Sequence, residues 1–354
     1  MRVDLVDRGP AGTARDPIRP LALALAGAGH SVRLFSTEGL DAKAFPGVET
    51  IPLKAKVRPG PRGRAALAKT LGTLLDPGAG ATVLPFELAG TTQVPRPIAV
   101  LPPIDAAPEE GSGSGWLDRF FARRAARREE ATARTRARWI LAPGEEERGR
   151  FLAGAPDAAA RTAVVPAAVP DPPMSPDRSA ARRLLHLPDD VPVAAWAGAP
   201  GPTGGSEIAR AAFQRSRVFF PGARLLLAGV AAPTEPGVHS LPGADAATRA
   251  AVRRAADVVL APSPPDVLDL LATMRCGAAA LVGRSVRFPR DPPAAALRRP
   301  EADDAGALAS GLAELFADPA LRRRTAEAGT AYADGYAPNR IAALFAPLAG
   351  ASAP

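Results

Sequence analysis

Short apolar runs alternate with alanine-rich amphipathic stretches along nearly the whole chain. Arg2-Val-Asp-Leu-Val6 predicts a buried strand, Pro17 to Ala28 a helix, and Ser31 to Ser36 a second strand. A Gly/Pro turn, Gly9-Pro-Ala-Gly12, separates the first two. The prolines at 17 and 20 suit the first turn of a helix, where a missing N–H costs little. Strand, turn, helix and strand in this order form a βαβ unit, whose repetition predicts a parallel sheet covered by helices on both faces.

The pattern continues with strands at Val48 to Leu53, Ala81 to Leu84, Ile98 to Leu101 and Trp139 to Ala142, and a short one at Val164-Val165. A Pro-rich joint, Pro166 to Pro176, interrupts it. Beyond the joint, strands are predicted at Val191 to Ala197, Ala223 to Gly229, Val258 to Ala261 and Ala278 to Val282. Helices are predicted from Ser206, at Ala246 to Ala256 and Asp266 to Arg275, and near 303–317, 319–334 and 338–349. The fold class is therefore α/β, with two Rossmann-like, doubly wound parallel-sheet domains. Residues 1–165 make the first, 166–176 a linker and 177–335 the second, and the tail 336–354 is expected to pack back toward the first. In such sheets ligands sit at the carboxyl ends of the strands, so a cleft between the domains is the default site.

Composition modifies this picture in three ways. Arginine outnumbers lysine by 40 to 4, and the formal charge of +8 is a modest field for 354 residues. Three histidines and one cysteine exclude a typical His/Cys zinc site and an internal disulfide. No run approaches 18 apolar residues, and Met1 to Val6 lacks the layout of a secretory leader, so a cytoplasmic location is expected. The segment 116–138 carries eight arginines, at 119, 123, 124, 127, 128, 134, 136 and 138, behind Trp116, Leu117, Phe120 and Phe121. It reads either as a solvated helix face paired through Glu129 and Glu130 or as a surface for anionic lipid at the inner face of a membrane. Nothing in it resembles a nucleic-acid module.

Several segments resemble, in order and spacing, those of family 4-type glycosyltransferases of the GT-B superfamily. They are Asp7-Arg-Gly-Pro-Ala-Gly-Thr13, Ala26-Gly-Ala-Gly-His-Ser-Val32, Arg138-Trp-Ile-Leu-Ala-Pro-Gly144 and Arg182-Arg-Leu-Leu-His-Leu-Pro188. Farther on come Pro221-Gly-Ala-Arg-Leu-Leu-Leu-Ala-Gly229, Ala255-Ala-Asp-Val-Val-Leu-Ala-Pro-Ser263 and Met274-Arg-Cys-Gly277. The resemblance covers nearly the whole chain. It implies two facing Rossmann-like domains and transfer of a sugar from a nucleotide-sugar donor, with retention and without a metal or other cofactor. The acceptor it implies is a cell-envelope or secondary-metabolite glycan, lipid-linked molecule or small molecule.

By the same resemblance, Gly198, Gly204, Gly205, Ser263 and Asp266 hold the donor, and Gly9 and Gly12 form an acceptor or phosphate loop. The donor motifs are eroded. Ala199 and Gly204 stand where the family has a phosphate-covering Arg and Lys, and Ala272 stands where it has the second of two Glu. A degenerate, non-catalytic relative that binds a partner enzyme or glycan is the alternative. The titratable groups that the site of a GT-B sugar-nucleotide epimerase would need are not visible in the sequence. Capping of the following helix is an equal reading of Asp266, and a tight strand–helix turn an equal reading of Gly9 and Gly12. Asp269 is expected to be solvated, His239 to lie in a loop, and Cys276 to be a small buried residue.

Overall fold

The computed structural model describes residues 1–7, 18–37, 40–53, 61–76, 78–92, 94, 97–101, 128, 130–170, 177–198, 205–262 and 266–350. The chain forms two compact units: Met1–Ala168 with Pro338–Pro354, and Val169–Ala337. Both are α/β with all-parallel sheets, of seven and five strands.

In the first unit the strands are β1 (Arg2–Asp7), β2 (Ser31–Ser36), β3 (Val48–Pro52), β4 (Ala81–Pro85), β5 (Ile98–Val100), β6 (Trp139–Ala142) and β7 (Thr162–Val164). Their order is β3-β2-β1-β4-β5-β6-β7. The helices are α1 (Ile18–Gly27), α2 (Pro61–Leu74), the single turn α3 (Phe86–Ala89) and α4 (Glu145–Gly154), with residues 130–136 also helical. Alternation along the strands splits the apolar side chains between two faces. Val3, Leu5 and Leu34 pack under α1, whereas Val6, Phe35 and Leu84 pack with Leu67 and Leu71 of α2. The last helix, α11 (Pro338–Gly350), returns to this unit and buries Ile341, Ala342 and Phe345 beside Ile18, Leu21 and Leu25 of α1. Full burial of each such Leu, Ile or Phe contributes about 1.5–3 kcal/mol.

The second unit begins where the chain is caught by its own last helices. The Val169 amide donates to the Tyr336 carbonyl at 2.8 Å, and Arg275 donates to the carbonyls of Val169 (2.9 Å) and Pro170 (2.8 Å). Its strands are β8 (Val193–Trp196), β9 (Arg224–Ala228), β10 (Val238–Leu241), β11 (Val258–Ala261) and β12 (Ala279–Val282), in the order β10-β9-β8-β11-β12. The helices are α5 (Arg178–Leu184), α6 (Ser206–Arg217), α7 (Ala246–Ala255), α8 (Val267–Arg275), α9 (Ala305–Ala317) and α10 (Pro319–Asp334). Strands β8, β11 and β12 are buried at every residue, as expected of parallel strands covered on both faces.

Two expectations are corrected. His239 lies on β10, paired with Leu226 of β9, and not in a loop. The strand escapes notice because Val-His-Ser-Leu sits at the sheet edge, half-buried throughout and without an apolar run. Asp269 is not a merely solvated carboxylate. It pairs with Arg253 at 2.7 Å, joining the first turn of α8 to α7.

Candidate functional site

Each sheet has one place where the strand order reverses, successive strands being added on one side before it and on the other side after it. It falls between β1 and β4 in the first unit and between β8 and β11 in the second. Loops leaving the carboxyl ends of such a strand pair diverge to opposite faces and open a crevice. The segments singled out by sequence follow these strands: 8–17 after β1, 197–205 after β8 and 262–266 after β11. Gly9, Gly12, Ala199, Gly204 and Ser263 lie outside the described residues.

Beyond β8 the sheet pairing continues one residue, with the Ala197 amide donating to the Leu260 carbonyl at 3.0 Å, and Gly198 follows. At the far end of the loop, Gly205 has φ +72 and accepts from the Ala209 amide at 3.0 Å, so it both turns the chain and starts α6. Only glycine adopts this left-handed backbone without a Cβ penalty. Among the described residues no side chain caps α6, so the first amides of its twelve residues are left without intrahelical acceptors. Trp196, the last residue of β8, is 3 % exposed, and its indole N–H has no acceptor among the described residues.

Asp266 ends the loop after β11. One carboxylate oxygen, Oδ1, accepts from the amides of Leu268 and Asp269, both at 3.1 Å, and so caps α8. Burial, joined by the nearby Asp269 charge, pushes its carboxyl above the usual range against the opposing pull of the two amides. Ala272 is buried in the middle of α8, so no carboxylate enters from that position. Burial also pushes the Cys276 thiol up, away from the thiolate form. The next strand, β12, is followed by Gly283 and Arg284. The Asp303 carboxylate accepts both the Arg284 amide and the Ser285 amide (3.0 Å), and Arg299 donates to the Gly283 carbonyl at 3.1 Å. Arg284 is thus an exposed cation, one N–H of which donates to the Glu301 carbonyl at 2.9 Å, on a braced loop beside the strand that leads to Asp266.

In the first unit the last residue of β1, Asp7, is fully buried and accepts from Arg19 of α1 (2.6 Å) and from Ser36 of β2 (3.2 Å). Three residues earlier the same two strands hold a second buried ion pair, Asp4 with Arg33. The signal for both was present in the sequence: aspartates inside an apolar strand, each aligned with a polar partner at the same offset in β2. The described residues contain no group of three or more His, Cys, Asp or Glu placed to hold a metal.

The basic segment 116–138 is described only from Arg128 and then from residue 130. There Arg134 donates to the Gly154 carbonyl (3.3 Å), Arg136 to Val94 (3.1 Å) and Arg138 to Ala349 (2.5 Å). These three half-exposed guanidiniums each donate to protein backbone. No described helix is long and apolar enough to cross a membrane.

The architecture is that of the GT-B glycosyltransferases. Sucrose-phosphate synthase from Thermosynechococcus elongatus superposes with a TM-score of 0.69 at 19 % identity over 98 % of both chains. HepE from Anabaena, solved in complex with UDP and glucose, superposes at 0.69 with 14 % identity over 97 % of this chain and 98 % of that one. A putative UDP-N-acetylglucosamine 2-epimerase from Listeria monocytogenes gives 0.62 and 14 % over 98 % and 96 %. No protein-family model matches the sequence, and no curated protein matches it. At these identities the likeness is one of fold.

Proposed function

We propose that the chain binds a nucleotide-diphosphate sugar at the carboxyl ends of β8 and β11 and transfers the sugar, with retention, to a cell-envelope or secondary-metabolite acceptor. The observation that carries this reading is left-handed Gly205, which starts α6 without a side-chain cap among the described residues, in the connection that follows β8 where the strand order of the sheet reverses. Backbone amides at such a helix start favour a diphosphate. HepE, which shares the fold, was solved with UDP and glucose.

In the transfer, the bond from the anomeric carbon to the phosphate oxygen breaks, a bond to the acceptor oxygen forms, and the acceptor hydroxyl proton passes to the departing phosphate oxygen. Negative charge grows on the departing diphosphate, so donors fixed around it lower the barrier. Gly198, Gly204, Gly205 and Ser263 let backbone approach that group. Arg284 supplies the cation that Ala199 and Gly204 do not. Asp266, with Oδ1 given to the helix cap, offers Oδ2 to a sugar hydroxyl, and Gly9 and Gly12 take the acceptor or its phosphate. The reading uses the diphosphate sugar as substrate and needs no metal or cofactor. Its location is cytoplasmic or peripheral to the inner face of a membrane.

A second reading, a non-catalytic binder of a partner enzyme or glycan, is favoured by buried Ala272 and by the engagement of both Asp266 and Asp269 within the protein. Calorimetric titration with a panel of nucleotide-diphosphate sugars, followed by assay for released nucleotide, separates the two. Donor binding with release supports transfer, and no binding at millimolar donor removes it.

A further inference from the structure

A cavity of about 600 Å³ lies in the second unit at the opposite end of the sheet from Gly205 and Asp266. Asp257 and Gly277, which precede β11 and β12, line it, together with Arg178 at the start of α5 and the face of α10 from Arg322 to Asp334. Its size falls within the range of about 300–1,000 Å³ occupied by small-molecule sites.

The lining carries three guanidiniums, of Arg178, Arg322 and Arg323, and three carboxylates, of Asp257, Glu327 and Asp334, and the guanidiniums of Arg182 and Arg275 behind it leave an excess of positive charge. Two guanidiniums share one carboxylate: Arg178 reaches Oδ1 of Asp257 at 2.8 Å and Arg182 reaches Oδ2 at 2.7 Å. Arg182 is buried behind the wall, and its other N–H groups go to the carbonyls of Ala255, Asp189 and Val191. Arg322 donates to the carbonyls of Leu315 and Phe316, and no carboxylate lies within ion-pair distance of it among the described residues. The remaining lining carboxylates already face cations, Asp334 that of Arg275 at 3.1 Å and Glu327 that of Arg323 at 4.0 Å. Arg178 registers the surplus. Burial lowers its pKa most, and repulsion from Arg182, Arg322 and Arg254 lowers it further, with Asp257 opposing.

We propose that this cavity is a second ligand site, separate from the donor crevice, that takes a small phosphorylated anion. A phosphoryl group carries about −1.5 to −2 charge at neutral pH and offers three acceptor oxygens, which suits guanidinium forks with N–H groups to spare. The small side chains of Ala326, Thr330 and Ala331 leave room for the rest of the molecule. Bound there, the anion joins the start of α5 to α10 and relieves the repulsion between their arginines.

The test uses inorganic pyrophosphate as the probe, titrated into the full chain in the presence of excess uridine diphosphate. Saturable heat is expected. Two variants locate it: Arg322→Gln, and Ala331→Glu, which sets a carboxylate on an exposed lining position without disturbing packing. Each is expected to weaken pyrophosphate binding at least tenfold while leaving uridine diphosphate binding unchanged. If pyrophosphate gives no saturable heat, or binds both variants as it binds the native chain, the proposal is wrong. A chain that binds no uridine diphosphate fails the donor reading alone, since the variants still decide where pyrophosphate sits.

Discussion

At the amino end of the second sheet, Arg178, Arg182 and Asp257 form a packed ionic cluster that ties α5 to the starts of β8 and β11. At the carboxyl end the same strands run out into Gly198, Gly205 and a helix-capping aspartate, with Arg284 as an exposed cation one strand away. The first sheet carries buried ions at both places: Asp4 pairs with Arg33 near the amino end of β1, and Asp7 stands at the carboxyl end, held by Arg19 and Ser36. The difference separates two uses of charge. At the amino end of the second sheet, Arg182 and Asp257 are matched to protein partners and hold the unit together, while Arg178 and Arg322 keep N–H groups for an anion. Its carboxyl end offers backbone and one free carboxylate oxygen, a surface suited to a ligand that brings its own charge.

The largest effect is expected from breaking the amino-end cluster. Arg182→Leu leaves buried Asp257 short of a partner and three carbonyls without a donor, which should cost about 3–5 kcal/mol in urea unfolding. A loss under 1 kcal/mol would show that the cluster does not hold the unit. Gly205→Ala forces a Cβ into a left-handed backbone and should cost about 1–2 kcal/mol. It should also weaken donor binding, as calorimetry on folded protein would report, whereas equal donor affinity would dissociate the loop from the ligand.

Asp266→Ala removes the α8 cap and should cost about 1 kcal/mol, whereas Asp266→Asn, an equivalent cap, should not. Because the folded carboxyl is raised above its unfolded value, its contribution is greatest below the unfolded pKa and falls as pH rises through the folded one. Asp266→Asn should therefore remove a loss of stability on going from acid toward neutral pH. Identical slopes in the two proteins would contradict the assignment. The smallest effect concerns His239, whose pKa is lowered by burial and by Arg224. Its protonation favours the unfolded chain, so stability should fall as pH drops through about 6.5, and His239→Gln should flatten that part of the profile.

Much of the fold is legible in the sequence because parallel strands buried on both faces are short continuous apolar runs. Trp139–Ala142 and Val258–Ala261 coincide with the strands observed. Helices α2 and α4 are not, since Gly and charged residues dilute their apolar faces, and edge strand β10 lacks an apolar run altogether. The site is legible only as positions along the chain. Counting from Pro262 finds Asp266 but cannot tell that one of its oxygens caps α8, because that depends on how the loop meets the helix. Arg284 and the cluster around Asp257 are invisible in one dimension. Arg182 and Asp257 are 75 positions apart and meet only because α5 packs against α7, just before β11.

The most direct test of the account is a crystal structure of the chain grown with uridine diphosphate. The account predicts the diphosphate at the carboxyl ends of β8 and β11, within hydrogen-bond distance of backbone between Gly198 and Ser206. A diphosphate bound instead among Arg178, Arg322 and Asp257, at the amino end, would contradict it.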